Sequence, residues 1–155
     1  MLNLAVFASG RGSNFEAILR AIKTGRLHNV SVAVVISNNS DSPVLTIARE
    51  HNIPSYPLSQ KQFSSEQEFV GAILNVFEKH RVNFVALAGY MKILPTSIVQ
   101  KFRDRILNIH PALLPQFGGK GMYGMRVHEA VINSEAKVSG ATVHIVDEQY
   151  DHGRS

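Results

Sequence analysis

The chain has 155 residues, of which 45% are hydrophobic and 18% charged, a composition typical of one globular domain. It contains no Cys, which excludes disulfides and thiol catalysis, and no apolar run approaches the ~20 residues that span a bilayer. The net charge of +4 comes from scattered Lys and Arg, and small anionic substrates fit it as well as nucleic acid does. The missing Cys fits a cytoplasmic domain, for which we expect small-molecule substrates and neither a membrane nor a nucleic-acid partner.

Buried strands alternate with amphipathic helices through the first half of the chain. The pattern predicts a strand over Leu2–Ala8, a helix from Asn14 that Gly25 ends, a strand over Val30–Ile36, a helix from Pro43 to about His51, and a short extended stretch over Ile53–Leu58.

The second half continues the alternation. It predicts a helix that a Ser65-x-x-Glu68 capping box opens and that ends near His80, a strand over Asn83–Ala88, a helix over Thr96–Phe102, a strand over Ile106–Ile109, a mobile Gly-rich loop over Gly118–Gly124, a helix over Val127–Asn133 and a strand over Gly140–Asp147. This order predicts a doubly wound, mostly parallel α/β sheet with helices on both faces, a Rossmann-like fold.

Two polar residues lie at the end of the Ile106 strand. Side chains alternate along a strand, so Asn108 and His110 share one face. Burying two polar groups there is costly unless they have partners or a function, and Pro111 is expected to end the strand. Since the carboxyl ends of parallel strands form ligand sites, this stretch is a candidate active site.

The turn Ser9–Asn14, S-G-R-G-S-N, joins the first strand to the first helix. Gly10 and Gly12 allow positive φ, which would leave the N–H groups of Gly12, Ser13 and Asn14 at a helix N-terminus, ready for a phosphate. The turn has neither the third Gly of a dinucleotide fingerprint nor the Lys of a Walker loop. The turn alone leaves two interpretations open: an anion site, or a plain turn in which Ser13 or Asn14 caps the helix.

The stretch A-G-Y-M-K-I-L-P follows the fourth strand. Met91, Ile93 and Leu94 could line an apolar slot for a flat ligand, but the residues alone favour ordinary core positions.

Asn108, His110 and Asp151 together suit acyl transfer, in which one group polarises a carbonyl, one carries a proton and one orients the imidazole. Pattern alone favours a turn residue at Asp151 over a catalytic one. A metal site of His110, His144 and Asp151 is the alternative, although its spacing is unlike known metal motifs.

The motifs F-A-S-G-R-G-S-N, A-G-Y-M-K-I-L, L-N-I-H-P-A-L-L-P and A-T-V-H-I-V-D-E-Q-Y-D-H-G occur in that order. Together they resemble the folate-dependent formyltransferases, and specifically the phosphoribosylglycinamide formyltransferase family of purine biosynthesis. The resemblance covers essentially the whole chain, read as one formyltransferase domain over residues 1–155 that lacks the family's C-terminal strand and helices.

The resemblance implies transfer of a formyl group from 10-formyltetrahydrofolate, a co-substrate, to glycinamide ribonucleotide, without a metal. It assigns catalysis to Asn108, His110 and Asp151, substrate binding to Arg11, Gly12, Ser13 and Asn14, and folate binding to Met91, Lys92, Ile93, Leu94 and Asn108. The alternatives are another folate-dependent formyltransferase, a formyltetrahydrofolate hydrolase, or an inactive phosphate- or folate-binding fragment. A monomer or a homodimer is expected.

Overall fold

Six strands of the described residues form one sheet at the centre of the fold. The structure, a computed structural model, describes the backbone of residues 1–111 and 141–145 and the side chains of residues 1–109. The strands are β1 (Leu2–Ala8), β2 (Val30–Ser37), β3 (Ser55–Pro57), β4 (Phe84–Ala88), β5 (Ile106–Pro111) and β6 (Ala141–Ile145). They lie in the order β3-β2-β1-β4-β5-β6, with the first five parallel and β6 antiparallel to β5. The predicted mostly parallel sheet is confirmed.

In the part of the chain that the structure describes, four α-helices cover the two faces of the sheet: α1 (Ser13–Lys23), α2 (Pro43–Glu50), α3 (Glu66–Lys79) and α4 (Thr96–Lys101). The buried side chains of α1 and α2 pack on one face, and those of α3 and α4 pack on the other. This is the doubly wound arrangement expected from alternating strands and helices. No helix in these ranges is long and apolar enough to cross a membrane.

The helix ends follow local chemistry. Ser65 caps α3 by accepting a hydrogen bond from the Glu68 N–H at 3.1 Å, as predicted. A capping box would also have the Glu68 carboxylate accept a hydrogen bond from the N–H of Ser65. Here it accepts from the N–H of Ser64, one residue earlier. Pro43 occupies the first turn of α2, where its missing N–H costs nothing.

The end of β5 differs from the sequence expectation. The strand continues to Pro111, which pairs with Ala141 of β6. A proline lacks an N–H donor, but Pro111 lies past Ile109, the last β5 residue in register with β4, so β5 is an edge strand on that side at this position. The predicted loop Gly118–Gly124 and the predicted helix Val127–Asn133 lie outside the described residues.

The strand order places a change of direction at the centre of the sheet. From β1 the chain proceeds outward to β2 and β3, and then returns to β4 on the other side of β1. In doubly wound sheets ligands bind at such a switch point, in the crevice outside the carboxyl ends of the strands. The carboxyl ends of β1 and β4 are therefore the expected place for a site.

Candidate active site

The turn after β1 opens helix α1 without a side-chain cap. Gly12 is the N-cap residue, with a φ of 94°, and no side chain accepts a capping hydrogen bond there. The alternative in which Ser13 or Asn14 caps the helix is therefore wrong. Gly10 is also not in the positive-φ region, so only Gly12 fulfils that expectation. Because Gly12 has no side chain, the backbone alone forms the tip of the turn.

Three backbone donors remain at this helix N-terminus. The first intrahelical bond runs from the Glu16 N–H to the Gly12 carbonyl at 2.8 Å. Helical geometry gives the N–H groups of Ser13, Asn14 and Phe15 no acceptor within the helix. Together with the positive end of the helix dipole, such donors suit an anion. The exposed side chains of Arg11 and Ser13 flank the turn.

The close packing of Gly12 explains why a glycine is needed. A Cβ on this residue would lie 3.1 Å from both Val44 Cγ2 and Ile47 Cδ1, and 3.2 Å from Val44 Cα. The Val44 N–H also donates to the Gly10 carbonyl at 3.2 Å, which ties the turn to α2. A side chain at position 12 would thus press on α2, whereas a Cβ on Gly10 would meet nothing within 4 Å.

Ser9 connects three strand ends at the switch point. Its N–H donates to the Gly89 carbonyl after β4 at 3.1 Å, and its hydroxyl donates to Asn38 Oδ1 after β2 at 2.5 Å. The same hydroxyl accepts from the Met91 N–H at 2.7 Å. Sequence reasoning missed this role. The one available signal was a hydroxyl residue directly after a buried strand.

The segment 89–94 follows β4 and lies beside the α1 turn. A Cβ built on Gly89, which has a φ of 78°, would lie 3.7 Å from Asn14 Nδ2. Met91 and Ile93 are 79% and 73% exposed, whereas Leu94 is 2% exposed and belongs to the core under α3 and α4. The ordinary-core interpretation is therefore wrong for Met91 and Ile93 and correct for Leu94.

Met91 and Ile93 border a cleft of about 1010 Å³ at the carboxyl ends of β2, β3 and β4. The other lining residues are mostly polar: Asn38, Asn39, Ser40, Asp41, Pro57, Ser59, Gln60, Lys61, Gln62, Phe69, Tyr90 and Lys92. A cleft with two exposed apolar side chains on a polar wall fits a ligand with a flat apolar part and a polar part.

Asn108 lies on the neighbouring strand. Its register partner on β4 is Leu87, whose side chain packs on the α3 and α4 face of the sheet. Leu107 and Ile109 pack on the opposite face. Asn108 is half-buried, and it lies on the face of the sheet on which α3 and α4 pack. The structure thus brings a carboxamide to the carboxyl edge, as strand alternation predicted.

The remaining predicted site residues are described less fully. His110 lies two positions after Asn108 on β5, and His144 occupies the β6 register position opposite Asn108. Asp151 lies outside the described residues. Among residues whose side chains are described, no three His, Asp or Glu side chains form a group that could hold a metal. The acyl-transfer assignment of His110 and Asp151 stays a prediction.

These observations define a doubly wound α/β protein with a ligand site at its carboxyl edge. The formyl transferase family model matches residues 2–155, and the chain belongs to this family. Phosphoribosylglycinamide formyltransferase of Bacillus subtilis is 38% identical, covering 99% of this chain and 75% of that protein. The chloroplastic phosphoribosylglycinamide formyltransferase of Arabidopsis thaliana is 46% identical, covering 97% of this chain and 52% of that protein.

The solved structures agree with this assignment. Glycinamide ribonucleotide transformylase 1 of Symbiobacterium toebii has a TM-score of 0.72 at 35% identity, covering 99% of this chain and 69% of that structure. The chain spans about half the length of the plant relatives that it matches.

Proposed function

We propose that the chain transfers the formyl group of 10-formyltetrahydrofolate to the amine of glycinamide ribonucleotide, a step of purine biosynthesis. Relatives that cover nearly the whole chain are named phosphoribosylglycinamide formyltransferase, which supports the reaction and the co-substrate. The observation that carries the choice of acceptor is the uncapped N-terminus of α1, where a phosphate would find free backbone donors.

The phosphate of the acceptor binds at the α1 turn in this proposal. Backbone N–H groups of Ser13 and Asn14 donate to its oxygens, and Gly12 permits the tight turn that exposes them. Arg11, exposed beside the turn, adds a positive charge. A single phosphate fits because the turn lacks the motifs that hold a diphosphate.

The folate binds along the cleft beside segment 89–94. The exposed side chains of Met91 and Ile93 cover the flat pteridine, and exposed Lys92 lies on the same segment. Leu94 supports the segment from the core instead of contacting the ligand, because it is almost fully buried. Apolar contact on a flat ring, with polar groups around it, is the usual composition of a small-molecule site.

Catalysis uses Asn108, His110 and Asp151. The Asn108 amide donates a hydrogen bond to the formyl oxygen as negative charge develops there. His110 assists at the same oxygen, and Asp151 takes up the proton of the attacking amine, directly or through water, and supports His110. Support comes from the half-buried position of Asn108 at the carboxyl edge and from the family motif that contains His110 and Asp151.

The reaction is a direct transfer. A bond forms between the acceptor nitrogen and the formyl carbon, and the bond between that carbon and the folate nitrogen breaks. The proton that Asp151 takes from the attacking amine passes on to the folate nitrogen, which leaves as the amine of tetrahydrofolate. No covalent enzyme intermediate and no metal are needed, so the residues act by orientation, hydrogen bonding and proton transfer.

Two of the three alternatives differ from this proposal in the acceptor of the formyl group. A formyltetrahydrofolate hydrolase would pass the formyl group to water, and another formyltransferase would use a different amine. An inactive fragment would bind phosphate or folate without transfer. We also propose that the protein is a monomer or a homodimer. We place it in the cytoplasm, whereas the plant relatives are named as chloroplastic.

An acceptor panel tests the proposal. The intact protein is incubated with 10-formyltetrahydrofolate and either glycinamide ribonucleotide, the same compound without its phosphate, or no acceptor. We expect rapid tetrahydrofolate release with the ribonucleotide alone, because only this acceptor engages the α1 turn. Equal release without any acceptor would indicate a hydrolase, and equal release with the unphosphorylated acceptor would remove the phosphate assignment.

A further inference from the structure

The Ser9 hydroxyl forms a continuous hydrogen-bonded bridge, here called the Ser9 bridge, between Met91 and Asn38. The Met91 N–H donates to Ser9 Oγ at 2.7 Å, and that hydroxyl donates to Asn38 Oδ1 at 2.5 Å. We infer that Ser9 is a positioning residue that fixes segment 89–94 relative to the α1 turn. The consequence for catalysis rests on the proposed function, since it takes this segment as one wall of the folate site.

Segment 89–94 needs anchoring because two of its side chains are exposed. Tyr90 packs edge-on against Phe7, with ring centroids 5.2 Å apart, and Leu94 is buried in the core. Between these two anchors, Met91 and Ile93 extend into the cleft and contribute little packing. The backbone bond from Met91 to Ser9 therefore adds an anchor at one of the two exposed side chains.

A hydroxyl suits this position because it donates and accepts at once. The Met91 N–H needs an acceptor, and Asn38 Oδ1 needs a donor. Alanine at position 9 would break both bonds, whereas threonine would retain the hydroxyl. Asn38 also lines the cleft. The Ser9 bridge therefore fixes two parts of the cleft wall: Asn38, through its amide oxygen, and segment 89–94, through the Met91 N–H.

The position of Ser9 in the chain links the two proposed substrates. It begins the turn that ends at Gly12 and α1, and its own N–H donates to the Gly89 carbonyl. One residue thus holds both the turn assigned to the acceptor phosphate and the segment assigned to the folate. Reacting atoms must approach to roughly 3–3.5 Å, and a displacement of about 1 Å can cost a hundredfold in rate.

The experiment compares Ser9→Ala, Ser9→Thr and Ser31→Ala with the parent in the intact protein. Ser31 is the matched control, because its hydroxyl donates to Asn3 Oδ1 at the opposite edge of the sheet. For each protein, hydrogen exchange of the Met91 amide, kcat and the KM for each substrate are measured. A Ser9→Ala, Asn38→Ala double-mutant cycle reports whether the two side chains act together.

We expect Ser9→Ala to accelerate exchange at Met91 and to lower kcat by roughly tenfold to a hundredfold, with a smaller change in either KM. Ser9→Thr should restore both readouts, and Ser31→Ala should change neither. Unaltered exchange at Met91 in Ser9→Ala would overturn the inference, as would a kcat loss that Ser31→Ala shares. If the parent transfers no formyl group, the proposed function fails, and exchange at Met91 still decides whether Ser9 holds the segment.

Discussion

Asn and Ser side chains lie at both the amino and the carboxyl edge of the sheet. At the amino edge their hydrogen bonds join strand starts to one another, and none of these side chains lines the cleft at the carboxyl edge. The Asn3 N–H donates to Asn83 Oδ1 at 2.8 Å, and Asn3 Nδ2 donates to the Arg81 carbonyl at 3.0 Å. Asn83 Nδ2 donates to the Met1 carbonyl at 3.2 Å, and the Ser31 hydroxyl donates to Asn3 Oδ1 at 3.4 Å. This edge ties the starts of β1, β2 and β4 together.

The carboxyl edge uses similar residues but remains open. Ser9 and Asn38 connect the ends of β1, β2 and β4, yet the first turn of α1 has no side-chain cap. Met91 and Ile93 extend into a cleft beside them. Substitutions at the amino edge should therefore change stability alone, whereas those at the carboxyl edge should change binding or turnover.

The largest expected effect is at Asn108. Asn108→Asp keeps the size of the side chain but removes the amide donor, so turnover should fall by roughly a hundredfold to a thousandfold, as when an oxyanion donor is lost. Asn83→Asp makes the same change at the amino edge and should leave turnover per folded molecule unaltered. Steady-state kinetics give the turnover of both variants. Similar losses of turnover in the two would contradict the predicted difference between the edges.

Asp151→Asn should have the next largest effect. It removes a charge without changing size, and loss of a general acid–base group lowers turnover by roughly a hundredfold or more. Binding of both substrates in the ground state should survive, so the loss should fall on kcat. Turnover is measured over a range of pH beside the parent. Near-parental turnover with an unaltered profile would return Asp151 to the turn interpretation.

Gly10 and Gly12 of the α1 turn lie at the same carboxyl edge but differ in the space around them. Gly12→Ala should destabilise the protein by about 1–3 kcal/mol, because a residue with a side chain is strained at this positive φ and its Cβ would press on Val44 and Ile47. Gly10→Ala is the control, since its Cβ would enter open space. Denaturant unfolding measures both, and equal stability of the two variants would contradict the described turn.

The smallest effect is expected at the exposed apolar side chains. Met91→Ala should weaken folate binding by roughly threefold to tenfold, the loss expected for part of a buried Met side chain. The free energy of unfolding should not change, because Met91 is 79% exposed without ligand. Titration with tetrahydrofolate and a thermal melt give the two readouts. A lower melting temperature with unaltered folate affinity would assign Met91 a structural role.

The fold was largely readable because strands and helices differ in hydrophobic period. The continuous apolar runs of β1, β2 and β4 and the helical spacing of α1 and α3 each predicted their element within a few residues. The end of β5 was not predicted. Pairing with Ala141 of β6 extends the strand to Pro111, and no local sequence pattern reveals such a partner. The shift of the Glu68 bond to Ser64 was likewise a local detail beyond the motif.

The site was readable in its residue types but not in its connections. Asn108 followed from strand alternation. The exposure of Met91 and Ile93 beside buried Leu94 did not, because all three are apolar and only the path of the chain after β4 separates them. The role of Ser9 depends on β2 and β4 lying on either side of β1, which is a property of strand order rather than of the turn.

The most direct test of the central claim follows the formyl carbon itself. The intact protein is mixed with 10-formyltetrahydrofolate carrying ¹³C in the formyl group and with glycinamide ribonucleotide, and the label is traced by NMR. The account predicts that the label moves to the amide of the formylated ribonucleotide, with tetrahydrofolate released in equal amount. Label recovered as free formate, or retained on the folate with glycinamide ribonucleotide unchanged, would contradict it.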